Sequence, residues 1–129
     1  MKDKAQVVVI GGGVVGCSVL YHLTKAGCTD VVLLERKELT AGSTWHAAGG
    51  MHTLNGDPNV AALQRYTIKL YEELEELTGV DCGIHLTGEL MLADNEDRLD
   101  WLKMAHARGR YMGMETEIIS TSEAKNLVP

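Results

Sequence analysis

Three glycines near the start of the chain, Gly11, Gly13 and Gly16, have the spacing Gly-x-Gly-x-x-Gly. In this pattern the first glycine permits a tight turn, the second lets a pyrophosphate approach the backbone, and the third lets a helix pack closely on a strand. The helix N-terminus that follows offers unpaired N–H groups and partial positive charge to phosphates. Glu35 lies nineteen residues after Gly16, where a carboxylate can accept hydrogen bonds from ribose hydroxyls. The spacing therefore predicts a dinucleotide site, and the acidic residue disfavours a 2′-phosphate.

The flanking residues predict the elements that such a site needs. The β-branched run Gln6–Ile10 is typical of a strand buried on both faces, and Val31–Leu34 of a second one. Between them, Val14–Ala26 has helical spacing of apolar residues, and Gly27 can end that helix. Together they predict one βαβ unit of about thirty residues.

The uncharged stretch from Ala5 to Thr24 also resembles a secretory signal or a membrane span. Both interpretations are disfavoured because its glycines each cost a helix interior about 1 kcal/mol relative to alanine.

Composition excludes several classes of protein. Of the 129 residues, 45% are hydrophobic and 23% are charged, which is ordinary globular usage rather than disorder. Twelve basic residues against eighteen acidic ones give a net charge of −6, so no nucleic-acid partner is expected. Cys17, Cys28 and Cys82 are odd in number and lack metal-ligand spacing, which favours a reducing compartment and predicts no metal site.

A long segment without clear periodicity, from Arg36 to Asp57, follows the βαβ unit. Loops of this length inside compact domains are usually functional. Gly42, Ser43 and Thr44 offer small side chains and hydroxyls suited to a phosphate or ribityl chain. His46 is the one nucleophile of this small-residue segment, although a histidine beside a tryptophan is also often a packing or capping residue. Backbone could lie against a flat ring at the small residues that follow, Ala47, Ala48 and Gly49.

Further elements are predicted in the second half of the chain. One helix begins at Asp57 or Asn59 and continues through Thr78, ended by Gly79. Its apolar stripe consists of Leu63, Tyr66, Leu70, Leu74 and Leu77. The other predicted elements are a hairpin over 84–86 and 89–93, a helix from Asn95 to about Arg108 ended by Gly109, a strand over 114–119, and a short helix opened by the capping box Ser120–Glu123.

The chain resembles the N-terminal part of the D-amino-acid-oxidase-like flavoproteins, and within them the dimethylglycine and sarcosine dehydrogenases. The resemblance rests on Glu35-Arg36 followed by the run Leu39–Gly49, together with Leu70–Gly79 and Ser122–Ala124. In those enzymes the Gly-[Ser/Thr]-Thr-Trp-His-x-Ala-Gly stretch wraps the flavin, and its histidine is bonded to the 8α-carbon. Gly50 and residues 51–56 fit the group less closely.

The resemblance implies an α/β fold: a Rossmann-like βαβ unit over 1–36, a flavin-binding loop over 37–56, and over 57–129 the start of an α+β subdomain. It thus implies an incomplete FAD-binding domain, with the catalytic acid and base beyond Pro129. The cofactor-binding residues that we expect are Gly11, Gly13, Val14, Val15, Gly16, Glu35, Arg36, Gly42, Ser43, Thr44, Trp45, His46, Ala47, Ala48, Gly49 and Gly50, with His46 covalently bonded to FAD.

The resemblance also implies an activity, namely oxidation of an N-methylated amino acid by hydride transfer to FAD. Electrons would pass to oxygen or to an electron-transfer flavoprotein, and tetrahydrofolate could bind a further domain of the full-length protein. A bacterial cytoplasm and a mitochondrial matrix are both compatible with the sequence, and no membrane contact is expected. The alternatives are an NAD-dependent Rossmann dehydrogenase, which leaves the segment 42–50 unexplained, and a non-catalytic nucleotide-binding or regulatory relative.

Other reactive residues have simpler interpretations. His22 and Cys17 are expected to pack within the first helix, and His85 and His106 have no partners at ligand spacing. Only His52, just past the flavin-binding loop, is a minor candidate for substrate contact.

Overall fold

The computed structural model describes residues 3–129 and forms two compact units, one ending at Gly49 and the other spanning Gly50–Pro129. The unit boundary lies inside the segment 37–56 that follows the βαβ unit. The elements in chain order are β1 (Val7–Ile10), α1 (Val14–Lys25), β2 (Val31–Leu34), α2 (Pro58–Thr78), α3 (Glu96–Tyr111) and α4 (Thr121–Leu127).

The first unit is a strand–helix–strand arrangement. The strands β1 and β2 pair in parallel, with Val7 opposite Val31 and Ile10 opposite Leu34. Parallel neighbours need a crossover connection, and α1 supplies it. Helix α1 ends one residue before the predicted position, and Gly27 follows with a φ of +90°. The predicted βαβ unit is confirmed.

Within this unit, only one face of β1 is covered. Val7 and Val9 are half-buried, whereas Val8 is 48% exposed and Ile10 is 85% exposed. Successive side chains of a strand point to opposite faces, so α1 covers one alternating set and leaves the other open. The expectation that β1 is buried on both faces is therefore wrong for this unit.

Helix α2 has the predicted bounds because its two ends are capped by its own sequence. The Asp57 carboxylate accepts hydrogen bonds from the Asn59 N–H at 2.7 Å and the Val60 N–H at 3.1 Å. Pro58 stands in the first turn, where its missing N–H costs nothing. Gly79 ends the helix with a φ of +68°, in the left-handed region that favours glycine.

The predicted apolar stripe of α2 is only partly buried. Leu70 is 8% exposed and Leu74 is half-buried, but Leu63 is 64% and Leu77 is 72% exposed. Ala61, which the stripe did not include, is 2% exposed. Periodicity identified the helix correctly, whereas the extent of its buried face depends on neighbours that periodicity does not specify.

Helix α3 begins as predicted, with the Asn95 side chain accepting from the Arg98 N–H at 2.8 Å. Its predicted end at Gly109 is wrong, because the helix continues to Tyr111 and Gly109 is a buried residue within it. A Cβ added at Gly109 would lie 3.1 Å from Thr116 and 3.3 Å from Leu54. This glycine therefore permits a close approach, and the terminating glycine with positive φ is Gly113.

The segments 84–86, 89–93 and 114–119, predicted as strands, contain no strand in the described chain. A turn does form at the expected place, where the Thr87 N–H donates to the His85 carbonyl at 3.0 Å and Gly88 has a φ of +75°. An isolated two-stranded hairpin is only marginally stable, and residues 50–129 hold no sheet for it to join. The predicted capping box is confirmed, since Ser120 and Glu123 cap α4 reciprocally.

Within residues 3–129, the helices are all too short or too polar to cross a bilayer.

Candidate cofactor-binding site

The predicted glycines form a tight turn between β1 and α1. Gly11 continues the sheet by donating its N–H to the Leu34 carbonyl at 2.8 Å, and its φ is +108°. Gly13 is the N-cap residue of α1, with extended backbone angles and no side chain to cap the helix. A Cβ added at Gly16 would overlap the Gly11 carbonyl oxygen. The turn therefore requires glycine at Gly11 for its backbone angles and at Gly16 for lack of space.

The first turn of α1 presents backbone N–H groups at this glycine turn. Cys17 donates its N–H to the Gly13 carbonyl at 2.9 Å, so the N–H groups of Val14, Val15 and Gly16 precede the first intrahelical bond. The Val14 N–H donates instead to the Thr44 hydroxyl at 2.9 Å. No acidic residue stands in this first turn, and Val15 is 72% exposed. This helix end is accessible and suited to an anion.

Glu35, at the end of β2, closes the other side of the turn. One carboxylate oxygen accepts from the buried Gly12 N–H at 2.7 Å, and the other accepts from the Lys37 N–H at 2.9 Å. The bond from Gly12, followed by that from Lys37, lowers the pKa of the Glu35 carboxyl below its usual 4.5, so it is ionised at neutral pH. Each carboxylate oxygen has a second lone pair, so these bonds leave acceptor capacity for a ribose hydroxyl.

The segment after β2 is folded onto the glycine turn at a second point. The Thr40 N–H donates to the Gly12 carbonyl at 2.9 Å, and Thr40 has a φ of +67°. A β-branched residue in this region is strained, so the surrounding contacts must hold it there. Consecutive turns follow, in which His46 donates its N–H to the Ser43 carbonyl at 3.2 Å and Ala47 to the Thr44 carbonyl at 3.3 Å. The segment 40–47 is thus a compact series of turns.

His46 is exposed, and one of its ring nitrogens is already bonded. Nδ1 lies 2.9 Å from the Gly42 carbonyl, which can only accept, so this bond places the proton on Nδ1. Nε2 then holds the free lone pair, and within residues 3–129 no hydrogen bond to Nε2 accompanies the Nδ1 contact. A neutral imidazole with a free nitrogen is the form that acts as a nucleophile.

The structure brings some of the predicted residues together at the glycine turn and leaves others exposed. Gly11, Gly13, Gly16, Glu35 and Thr44 meet around the glycine turn through the contacts above. Trp45, expected among the cofactor-binding residues, is 78% exposed and has no ring partner within residues 3–129. The remaining predicted residues lie exposed along the segment that follows β2: Arg36, Gly42, Ser43, Ala47, Ala48 and Gly49. Gly50 begins the second unit.

Sequence reasoning missed two features of the site. Gly12 occupies the unspecified position between the first two glycines of the pattern, yet its N–H donates to Glu35 and its carbonyl accepts from Thr40. An added Cβ at Gly12 would lie 2.5 Å from the end of the exposed Leu39 side chain and 3.0 Å from the Glu35 Cβ, so these side chains would have to shift. The sequence predicts that Thr44 contacts a phosphate or ribityl chain. It does not predict the bond between the Thr44 hydroxyl and the Val14 N–H, because these residues lie thirty positions apart and no local pattern connects them.

The other histidines lie outside this arrangement. His22 contacts the Ser18 carbonyl at 2.7 Å within α1, and His106 contacts the Thr116 hydroxyl at 2.9 Å in the second unit. His52 lies 3.5 Å from the Gln64 side chain. Across residues 3–129, His, Cys, Asp and Glu side chains form no group of three or more that could hold a metal ion.

The residues present fit a dinucleotide such as FAD. The glycine turn leaves a cradle that side chains would fill, since a Cβ at Gly13 would lie 3.0 Å from the Thr44 hydroxyl oxygen. N–H donors at the end of α1 suit a diphosphate, and the ionised Glu35 suits ribose hydroxyls. A parallel strand pair with this turn and a carboxylate after the second strand defines a dinucleotide-binding unit of the Rossmann type.

Comparison with known proteins narrows this class to a family. Residues 6–129 match the DAO family, described as FAD dependent oxidoreductase, and the chain belongs to that family. It is 47% identical to dimethylglycine dehydrogenase of Rattus norvegicus over 99% of this chain and 15% of that protein. It is 44% identical to sarcosine dehydrogenase of Homo sapiens over 100% of this chain and 14% of that protein. The resemblance inferred from the motifs is confirmed.

Two further comparisons bear on function and fold. The chain is 43% identical to the pyruvate dehydrogenase phosphatase regulatory subunit of Mus musculus, over 100% of this chain and 15% of that protein. The solved structure of L-proline dehydrogenase from P. horikoshii matches 100% of this chain and 34% of its own, with a TM-score of 0.88 and 27% identity. The predicted α/β fold class is confirmed, and the chain spans about 15% of the length of these curated relatives.

Proposed function

We propose that this chain holds FAD within a longer protein that oxidises an N-methylated amino acid of the dimethylglycine or sarcosine class. FAD, when bound, supplies a two-electron acceptor for hydride from the N-methyl carbon, and water then releases formaldehyde from the resulting iminium. Electrons would leave to dioxygen or an electron-transfer flavoprotein. Family membership supports the choice of FAD over NAD, and the named substrates of two relatives support the substrate class.

The glycine turn carries this proposal. Its contacts with Glu35 at 2.7 Å and with Thr44 at 2.9 Å assemble donors and a carboxylate around one backbone turn. The N–H groups of Val15 and Gly16 would bind the diphosphate, and Glu35 would accept from the adenosine ribose. Small residues near Gly42 would admit the ribityl chain and ring without side-chain obstruction.

His46 is the residue that we propose to bond the 8α-carbon of the flavin. The Gly42 carbonyl holds the proton on Nδ1, so Nε2 is the nitrogen that would form the bond. Forming this bond removes one hydrogen from the 8α-carbon and one from the imidazole. The two electrons and two protons would pass to the acceptor that also serves turnover, dioxygen or an electron-transfer flavoprotein.

Absorption spectroscopy of the full-length protein tests the proposal. We expect a flavin spectrum in the purified protein, which dimethylglycine or sarcosine bleaches anaerobically, and flavin fluorescence that survives acid denaturation. His46→Ala should abolish the acid-stable fluorescence and retain non-covalent FAD. His22→Ala is the matched control, because it also removes an imidazole but from α1 and not from the segment that carries His46. A full-length protein that binds NAD and no flavin would contradict the proposal.

A second candidate function is regulatory, because one relative at 43% identity is a regulatory subunit. A non-catalytic protein would bind FAD through the same glycine turn but would not transfer electrons to it. Anaerobic substrate addition separates the two: a bound flavin that no N-methylated amino acid reduces would favour the regulatory candidate.

We also propose a compartment for the longer protein and a place for its tetrahydrofolate site. The dimethylglycine and sarcosine dehydrogenase relatives are named as mitochondrial, which favours the mitochondrial matrix over a bacterial cytoplasm. A tetrahydrofolate site would lie outside this chain.

A further inference from the structure

Thr44 joins the segment that carries His46 to the first turn of α1. Its hydroxyl oxygen accepts the Val14 N–H at 2.9 Å, across thirty positions of sequence. Gly13, the N-cap residue, supplies no side-chain cap, and the Thr44 hydroxyl instead accepts one of the N–H groups that this helix end leaves unpaired. An added Cβ at Gly13 would lie 3.0 Å from this hydroxyl oxygen, so a residue with a side chain there would crowd the bond.

A second bond holds the same segment four residues earlier. The Thr40 N–H donates to the Gly12 carbonyl at 2.9 Å. Thr40 keeps a φ of +67° there, a conformation that persists only when neighbouring contacts impose it. Residues 40–44 are therefore fixed at both ends to the glycine turn.

These two bonds determine where His46 lies relative to the proposed diphosphate position. His46 follows Thr44 by two residues, so its Cα lies within about 7.6 Å of the Thr44 Cα, given the spacing of consecutive Cα atoms. Between Thr40 and Thr44, the Ser43 carbonyl accepts the His46 N–H at 3.2 Å, and the Gly42 carbonyl lies 2.9 Å from the ring Nδ1. Backbone and imidazole are both oriented by residues that Thr44 and Thr40 anchor.

We propose that Thr44 is a positioning residue for His46: its hydroxyl caps α1 from a distance and thereby fixes the imidazole relative to the glycine turn. This inference rests on the proposed function for its consequence, which is the rate of flavin attachment. A displacement of about 1 Å can reduce the rate of a reaction between positioned groups about 100-fold. Thr44 thus acts through His46 and not by contact with the reacting carbon.

Flavin attachment to the full-length protein, produced without riboflavin and then given FAD, tests this role. Thr44→Val keeps the shape and removes the hydroxyl, and we expect it to slow the appearance of acid-stable flavin about 10- to 100-fold. Thr44→Ser restores the hydroxyl and should recover attachment to within about threefold of the unaltered protein. Thr24→Val is the matched control, because the Thr24 hydroxyl bonds the Tyr21 carbonyl at the other end of α1.

Two further readouts separate positioning from general loss of structure. The attachment rate constant is measured at saturating FAD, so that a loss of FAD affinity, which is expected if Thr44 also binds the cofactor, does not enter the comparison. Amide hydrogen exchange of residues 12–16 and 40–46 should be about fivefold faster in Thr44→Val, the effect of losing one helix cap. The Ser variant and the Thr24→Val control should exchange as the unaltered protein does.

Three results would overturn the inference. They are attachment by Thr44→Val at the unaltered rate under saturating FAD, an equal defect in Thr44→Ser, and an equal defect in the Thr24→Val control. If the unaltered protein never acquires acid-stable flavin, the proposed covalent bond fails by itself. Hydrogen exchange then decides whether the Thr44 bond fixes the segment, and unchanged exchange in Thr44→Val would overturn that part too.

Discussion

Replacement of Gly16 by alanine tests the tight turn at the start of α1. In a solvent-exposed helix this change would stabilise by about 1 kcal/mol, because alanine has the higher helix propensity. Here the added Cβ would overlap the Gly11 carbonyl oxygen and lie 3.6 Å from Val9. The overlapping atom is backbone and cannot rotate away, so the cost should reach or exceed the upper end of the 1–3 kcal/mol typical of overpacking. Net destabilisation of about 2 kcal/mol corresponds to about 30-fold more frequent opening.

Peptide-resolved amide hydrogen exchange on the full-length protein measures this opening directly. We expect about 30-fold faster exchange across β1 and α1 in Gly16→Ala, together with weaker FAD binding. Gly42→Ala is the matched control for stability, because its added Cβ would meet nothing within 4 Å and its φ is not positive. Exchange in Gly16→Ala as slow as in the unaltered protein would refute the claim that this position has no room for a side chain.

Three other predictions concern charges and caps. The pKa of the Glu35 carboxyl is lowered in the folded protein, so its bonds to Gly12 and Lys37 stabilise the fold above pH 4.5 and this contribution is lost as the pH falls through the lowered pKa. Over that pH range, hydrogen exchange of residues 36–46, corrected for intrinsic rates, should accelerate in the unaltered protein and not in Glu35→Gln. Asp57→Ala removes the acceptor for two N–H groups and should destabilise α2 by about 1 kcal/mol by hydrogen exchange, whereas Asp57→Asn should be nearly neutral. Gly79→Ala places a side chain at a φ of +68° and should cost about 1 kcal/mol at the end of α2, and an unchanged exchange rate there would contradict the left-handed cap.

Local signals predicted most of the first unit and the helix ends. The β-branched runs, the glycine spacing and the capping residues Asp57, Asn95 and Ser120 act within a few residues of themselves, so sequence alone shows them. The prediction that Gly109 ends α3 is wrong because a glycine that permits close packing and one that ends a helix look identical in sequence. The predicted strands failed because a strand needs a partner, and no local pattern supplies one.

At the candidate site, the sequence indicated which residues lie near the glycine turn better than how those residues are bonded to one another. The glycine pattern and Glu35 follow a spacing set by the βαβ unit, so their proximity could be predicted. The bonds from Val14 to Thr44 and from Thr40 to Gly12 join distant positions, and they depend on how the long segment folds back. The proton on Nδ1 of His46 likewise depends on the Gly42 carbonyl, a backbone group that carries no residue-specific signal.

The proposed bond between His46 and the flavin can be located directly in the full-length protein. Trypsin cuts after Lys37 and Arg65 and leaves residues 38–65 as one peptide, which contains both His46 and His52. Fragmentation mass spectrometry of this peptide from the acid-denatured full-length protein should locate the flavin on His46 and leave His52 unmodified. Flavin on His52, or a peptide without flavin from a protein that contains FAD, would contradict the account.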